Sequence, residues 1–123
     1  MRFMSVIKGP ENAGAPPQAL FDAMDKLIGE QMKSGVLVDT GGLTPTSEGV
    51  RVRSVGGKIK VSDGPFTEAK EVIGGYAILK ASSREEAIRM TKDFMDLHVK
   101  HWPEWQGECE LRQIVGPFDE EGQ

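Results

Sequence analysis

The chain has 123 residues, of which 38% are hydrophobic and 28% charged, and its formal net charge is −4. This length and composition fit one globular domain and argue against global disorder. The acidic balance argues against nucleic acid or an anionic membrane as partner, because both attract clustered Lys and Arg. No apolar run approaches the roughly 18 residues of a membrane helix. Cys109 is the only cysteine, so no internal disulfide can form and a reducing cytoplasm is the expected location.

The first half of the chain predicts a strand, a helix and a strand. Residues 2–8 read as a strand with apolar side chains on both faces. A helix is expected from about Pro17 to Ser34, with Gly35 as the residue that ends it. Residues 36–38 then form a short strand that ends at Asp39-Thr40-Gly41-Gly42. The helix is indicated by an apolar stripe of Leu20, Met24, Leu27, Ile28 and Met32.

A hairpin is predicted next, with strands Val50–Val55 and Lys58–Ser62 joined at Gly56-Gly57. Two glycines between two apolar runs are typical of a two-residue primed turn. In that register one face of the hairpin is apolar, and it carries Val50, Val52, Ile59 and Val61. The opposite face is basic, with Arg51, Arg53 and Lys60. These three side chains either face water or form a basic wall that meets an acidic ligand or partner segment.

The second half repeats the strand–helix–strand order. Val72–Lys80 has apolar residues on both faces and is expected to be a central strand, with a bulge at Gly74-Gly75. Ser83 and Glu86 match a capping box that starts a second helix, and Pro103 ends this helix by about residue 101 or 102. Cys109–Val115 completes the pattern as the last strand.

The order β-α-β, hairpin, β-α-β predicts an α+β, ferredoxin-like fold in a single domain over residues 1–123. Its sheet is mainly antiparallel and carries two helices on one face. Strands that are apolar on both sides need a second cover, and the sheet of another copy is the most economical one. We therefore expect a homodimer formed by sheet-to-sheet packing.

Three residues are candidates for acid–base chemistry: Asp63, Tyr76 and His98. Asp63 lies at the end of a strand, where an aspartate can accept backbone N–H bonds in a turn. Alternatively, it acts as an acid or base at the mouth of a cleft beneath Phe66. Tyr76 is either a core aromatic or a proton donor in a pocket. His98 lies on the apolar stripe of the second helix, so it is either a core histidine or the general acid or base.

Charged residues around the same region are candidates for ligand binding. Arg51 or Arg53 could bind an anion, and Phe66, Lys70 and Glu71 lie in the segment that leads into the central strand. An exposed ion pair is the alternative interpretation of Lys70 and Glu71. The sequence has no Gly-rich phosphate loop and no strong metal motif, so we expect neither a cofactor nor a metal.

One stretch of the sequence resembles a known family. The chain is similar to the YCII-related family, in its DGPF-domain branch, at Asp63-Gly64-Pro65-Phe66, Glu68, Lys70-Glu71 and Gly74-Gly75-Tyr76. The stretch His98–Arg112 adds to the likeness. The resemblance implies a bacterial protein with a ferredoxin-like fold that dimerises sheet to sheet as a dimeric α+β barrel. Some YCII relatives carry a His–Asp pair proposed as catalytic, with the His near the first helix, but residues 9–35 contain no histidine here.

Two functions are open at this point. The first is a small enzyme that uses acid–base chemistry on a small polar or acidic organic molecule. The second is a non-catalytic dimeric module that binds a small molecule or a protein. A cleft that brings His98 within hydrogen-bond reach of Asp63 or Glu71 would favour the enzyme. A His98 enclosed by apolar side chains, with its ring nitrogens bonded to the backbone, would favour the module.

Overall fold

The structure, a computed structural model, describes residues 1–116. A four-stranded sheet contains β1 (Arg2–Gly9), β2 (Leu37–Gly42), β5 (Val72–Lys80) and β6 (Glu108–Ile114). The strands lie in the order β2-β5-β1-β6, and all neighbours are antiparallel. This order, with one helix after β1 and one after β5, is the predicted ferredoxin-like α+β fold.

Two helices, α1 (Gln18–Ser34) and α2 (Arg84–His101), pack on one face of the sheet. Side chains alternate along a strand, so the residues of β1 that follow Phe3 by two positions share this face. Both helices are amphipathic, and burying their apolar stripes against the sheet stabilises the fold. The buried core at this interface consists of Phe3, Leu37, Leu79, Ala81 and Ala87.

The signals at the helix ends act as predicted, with one difference. Gly35 ends α1 in the left-handed conformation (φ 84°), and its N–H donates to the carbonyls of the last helical turn. At the start of α2, the Ser83 hydroxyl accepts from the Glu86 backbone N–H at 3.1 Å. The Glu86 carboxylate bonds Ser82 instead of returning to Ser83, so only half of the capping box forms.

The bulge predicted in the central strand is present. Ile7 of β1 pairs with Gly75, whereas the next residue, Lys8, pairs with Ile73. Gly74 is therefore the extra residue on β5. Its carbonyl accepts a hydrogen bond from the Leu43 N–H, so the bulge connects β5 to the end of β2.

The extent of β2 was predicted wrongly. The sequence indicated a strand over residues 36–38, but the strand runs from Leu37 to Gly42. Thr40 and Gly41 pair with Ala77 and Tyr76 of β5, and the Thr40 hydroxyl donates to the Tyr76 carbonyl at 2.8 Å. Sheet pairing supplies partners for these backbone groups and outweighs the local preference of Gly and Asp for turns.

The other face of the sheet carries no described helix. Met4 and Val6 of β1 alternate with the helix-facing Phe3 and Ser5, and they are half-buried. We call the face that contains Met4 and Val6 the open face. Within residues 1–116, neither helix is long and apolar enough to cross a membrane.

The predicted hairpin is a sheet of its own, formed by β3 (Val50–Val55) and β4 (Lys58–Asp63). Its register is the predicted one, with Val52 opposite Val61 and Arg53 opposite Lys60. We call β3, β4 and their turn the arm. Neither of its strands has more than marginal contact with the other helices and strands of the described chain.

Candidate functional site

A cavity of about 550 Å³ lies between the sheet and the two helices. Its size is within the range of small-molecule sites, which are mostly apolar with a few polar groups. The wall is built from the helix-facing positions of the sheet, from the inner stripes of α1 and α2, and from the segment that follows α2. Most of the wall is hydrocarbon and aromatic, with Ile7, Met24, Ile28, Met90, Phe94 and Trp105 among its residues.

His98 is the most distinctive polar residue of this wall. It is only 5% exposed, near the end of α2, and its ring contacts the rings of Phe94 and Trp105 at centroid distances of 5.0 and 4.9 Å. Burial lowers the pKa of His98, although its hydrogen bond to the backbone works in the opposite direction. The imidazole is therefore neutral at pH 7.

The hydrogen bond of His98 decides which ring nitrogen carries the proton. Nδ1 lies 3.2 Å from the Phe94 carbonyl oxygen. A carbonyl only accepts, so Nδ1 holds the hydrogen and Nε2 presents a lone pair. The part of the chain that the structure describes offers Nε2 no hydrogen-bond partner. A buried acceptor without a partner is costly, and a ligand with a donor would satisfy it.

The indole of Trp105 forms another part of the wall and depends on two glycines. A Cβ atom on Gly9 would lie 2.8 Å from the indole, and one on Gly107 would collide with both the indole and the Lys8 carbonyl. Trp105 also stacks on Trp102, with ring centroids 6.0 Å apart. The ring is held against the end of β1, so this wall of the cavity is fixed by backbone contacts.

Ser5 and Cys109 meet on the sheet side of the cavity. Ser5 of β1 is buried, and Cys109 of the neighbouring β6 is half-buried. Burial raises the pKa of the Cys109 thiol, and the neighbouring Ser5 hydroxyl offsets this only in part. The thiol is therefore protonated at neutral pH and a poor nucleophile.

Tyr76 is among the cavity residues, but it pairs with Val6 in the sheet, so its side chain lies on the open face, beside Asp39. Its hydroxyl donates to Asp39 Oδ2 at 2.9 Å, and this hydrogen bond raises the pKa of the tyrosine. Its ring lies over Gly41 of β2, where an added Cβ would come within 3.2 Å. The hydroxyl is therefore already engaged by Asp39.

The Asp63–Phe66 turn packs on the loop that precedes the arm. Gly64 lies so close to the Thr46 carbonyl that no side chain fits there, and its N–H donates to Gly49 at 2.9 Å. The Phe66 N–H donates to the Thr46 hydroxyl at 3.2 Å. Asp63 itself is exposed, and its carboxylate makes no hydrogen bond with any residue in the range 1–116. The turn is therefore held by its own backbone N–H groups, and a hydrogen bond from the backbone to the Asp63 side chain does not form.

Glu11 ties this turn to the cavity, a role that the sequence did not reveal. Its carboxylate accepts from the Thr46 N–H at 2.6 Å and from the Thr46 hydroxyl at 2.7 Å. These bonds lower the pKa of Glu11. Glu11 also lines the cavity, so the base of the arm and the cavity share one side chain. No spacing rule links residues 11 and 46, because their contact is made only by the folded loops.

The predicted ligand-binding residues lie outside the cavity, and two of them, Arg51 and Phe66, contact each other. The Arg51 guanidinium lies 3.8 Å above the Phe66 ring centroid and forms an ion pair with Glu68. Arg53, Lys70 and Glu71 are exposed. Of the eight residues predicted for the site, only Tyr76 and His98 line the cavity, and the structure does not bring Asp63 or Glu71 to His98. Among residues 1–116, no group of three or more His, Cys, Asp or Glu side chains could hold a metal ion.

Comparison with known proteins places the chain in a family. The family model described as "YCII-related domain" matches residues 1–95. An uncharacterized protein of Rhizobium meliloti (strain 1021) is 32% identical over 62 residues, which is 50% of this chain and 50% of that protein. The aligned region thus spans about half the length of this curated relative. Neither description specifies a reaction or a ligand.

Proposed function

This chain belongs to the YCII-related domain family. We propose that it binds a small, mainly apolar organic molecule in the cavity beside His98. The molecule carries one hydroxyl or N–H group that donates to His98 Nε2. One observation carries the proposal: a buried histidine with an unsatisfied acceptor nitrogen lines an apolar cavity of ligand size.

A matched pair of probes tests this interaction. 4-Ethylphenol and ethylbenzene have nearly the same shape, but only the phenol has a donor for Nε2. We expect the phenol to bind about tenfold more tightly or better, since a hydrogen bond to a buried partner contributes on the order of 1–2 kcal/mol. Titration calorimetry at pH 7.5 measures both affinities.

Two variants complete this experiment. His98→Leu removes the acceptor and should abolish the preference for the phenol, while ethylbenzene binding is kept. His101→Leu is the matched control, because His101 is on the same helix but does not line the cavity. Equal affinities for the two probes in the wild-type protein, or no binding of either, would refute the proposal.

An acid–base enzyme is the second candidate, and one observation favours it. A neutral His98 with a free Nε2 lone pair has the form of a general base. In this role it would take a proton from a bound small polar or acidic substrate. Exchange of an acidic C–H of a small carbonyl compound with deuterated water, followed by NMR, tests it. Exchange that is catalysed by the wild type and lost in His98→Gln would support an enzyme, and equal rates would exclude this base.

We also propose that the protein is a homodimer in which the open faces of two sheets pack together. Met4 and Val6 on this face are apolar and half-buried in the single chain, and neither described helix covers them. Apolar sheet faces are normally covered by another layer. Light scattering at micromolar concentration should give twice the chain mass of 13.4 kDa, and Val6→Asp should lower it to the monomer mass.

A further inference from the structure

The arm exposes one apolar face along its whole length. Val52 pairs with Val61, and residues two positions apart on a strand point to the same face. This face therefore carries four apolar side chains that are 54–69% exposed: Val50, Val52, Ile59 and Val61. A two-stranded hairpin by itself is at best marginally stable in water. Within residues 1–116, no helix or other strand has more than marginal contact with the two strands of the arm. The arm therefore has the composition of an interface and lacks its partner in the single chain.

We infer that the apolar face of the arm packs on a second copy of this chain, as the outer part of the proposed sheet-to-sheet dimer. The inference rests on that dimer and adds to it a surface that the sheet does not contain. In a two-fold dimer, each arm would lie on the other copy, so both apolar faces would be covered by the same contact.

The distribution of charge favours a second copy as the occupant. Arg51, Arg53, Lys58 and Lys60 against Asp63 give the arm a net charge of +3, whereas the whole chain carries −4. The described residues outside the arm, 1–49 and 64–116, carry a net charge of −4. The basic side chains lie on the face opposite the apolar one. The attraction between a basic arm and the acidic body of another copy therefore aids their encounter at long range.

The area available also fits a dimer. Burying one Val or Ile side chain removes on the order of 60–120 Å² of apolar surface from water. Four side chains that are about two-thirds exposed then give roughly 250 Å² per arm, and two arms with the surfaces they cover bury about 1,000 Å². Stable interfaces bury about 1,200–2,000 Å² in total. The two arms together with the open faces reach this range.

Light scattering and sedimentation of matched variants test the inference. Ile59→Asp puts a charge on the apolar face of the arm and should raise the dimer dissociation constant on the order of 100-fold or more. Val55→Asp makes the same charge change on the opposite, basic face of the arm and should leave the constant within about threefold. Circular dichroism should show both variants folded, because the strands of the arm have no more than marginal contact with the other helices and strands.

Amide hydrogen exchange of the wild-type protein gives a second readout that needs no variant. Arm amides should exchange slowly above the dissociation constant and quickly below it, while β1 amides stay protected at both concentrations. Loss of the dimer in Val6→Asp but not in Ile59→Asp would keep the sheet-to-sheet dimer and overturn the role of the arm. A wild-type protein that is monomeric throughout would overturn both.

Discussion

The body of the molecule and its arm use similar apolar residues in opposite ways. In the body, each strand has one face against the helices, and the resulting layer encloses Leu20, Phe3 and the cavity around His98. In the arm, four Val and Ile side chains of the same type stay largely in water. Alternation of apolar residues thus predicts a strand and its two faces. Whether a face is buried depends on which other helices or sheets pack against it.

The two regions also use glycine differently. In the body, Gly64 and Gly107 stand where another backbone or ring approaches too closely for a side chain. In the arm, Gly56 and Gly57 meet nothing within 4 Å, and they are required by positive φ angles of 58° and 77°. Glycine is thus required by close packing in the body and by the backbone conformation of the turn in the arm.

The largest expected effect compares burial in the two regions. Leu20→Ala leaves a cavity at a fully buried position of α1 and should lower the free energy of unfolding by about 3 kcal/mol. Ile59→Ala, in the arm, should change it by less than about 0.5 kcal/mol when the chain is monomeric. Urea denaturation of dilute protein measures both. A large effect of Ile59→Ala in the monomer would show that the arm is covered by its own chain.

Gly64→Ala tests the backbone contact that joins the arm to the body. Its Cβ would collide with the Thr46 carbonyl, which belongs to the backbone and cannot simply rotate away. We expect a loss of about 2–3 kcal/mol in unfolding free energy. Gly74→Ala is the control, because an added Cβ there meets nothing within 4 Å. A stability equal to that of the control would mean that the loop adapts at little cost.

The buried histidine should make the stability of the body depend on pH. The pKa of His98 is lowered by burial from its ordinary value of 6.5, so the unfolded chain binds this proton more readily than the folded chain. The free energy of unfolding is therefore highest above pH 6.5, where His98 is neutral in both the folded and the unfolded chain. It decreases as the pH falls through and below that value, because the unfolded chain takes up the proton first. Unfolding followed between pH 7.5 and 5 should show this loss in the wild type and a smaller one in His98→Gln. Identical profiles would contradict a neutral, buried imidazole.

The smallest effect is expected at the base of the arm. Arg51→Ala removes the ion pair with Glu68 and the contact with the Phe66 ring, both close to solvent. We expect less than about 1 kcal/mol of destabilisation. A double-mutant cycle with Glu68→Ala isolates the ion pair. A coupling well above 1 kcal/mol would show that these side chains are shielded from solvent and would support anion binding at this position.

Much of the fold could be read from local patterns, and less of the site. The turn at Gly56-Gly57, the N-cap at Ser83, the helix end at Gly35 and the bulge at Gly74 are local, because each depends on residues within a few positions. The stripe on α2 placed His98 on the buried side. It could not tell which ring nitrogen stays unsatisfied, since the Phe94 carbonyl and the Trp105 ring surround the imidazole only in the folded chain.

The amino-acid sequence alone specified the order of elements and the register of the arm, because short-range periodicity and turn chemistry encode them. The motif from Asp63 to Tyr76 carried the resemblance to the family. Three features follow only from tertiary packing: β2 extends to Gly42, Glu11 binds Thr46, and Asp63 and His98 stay apart. These outcomes depend on contacts between residues distant in sequence. A local sequence pattern does not predict such contacts, because they form only when the helices and the sheet have packed together.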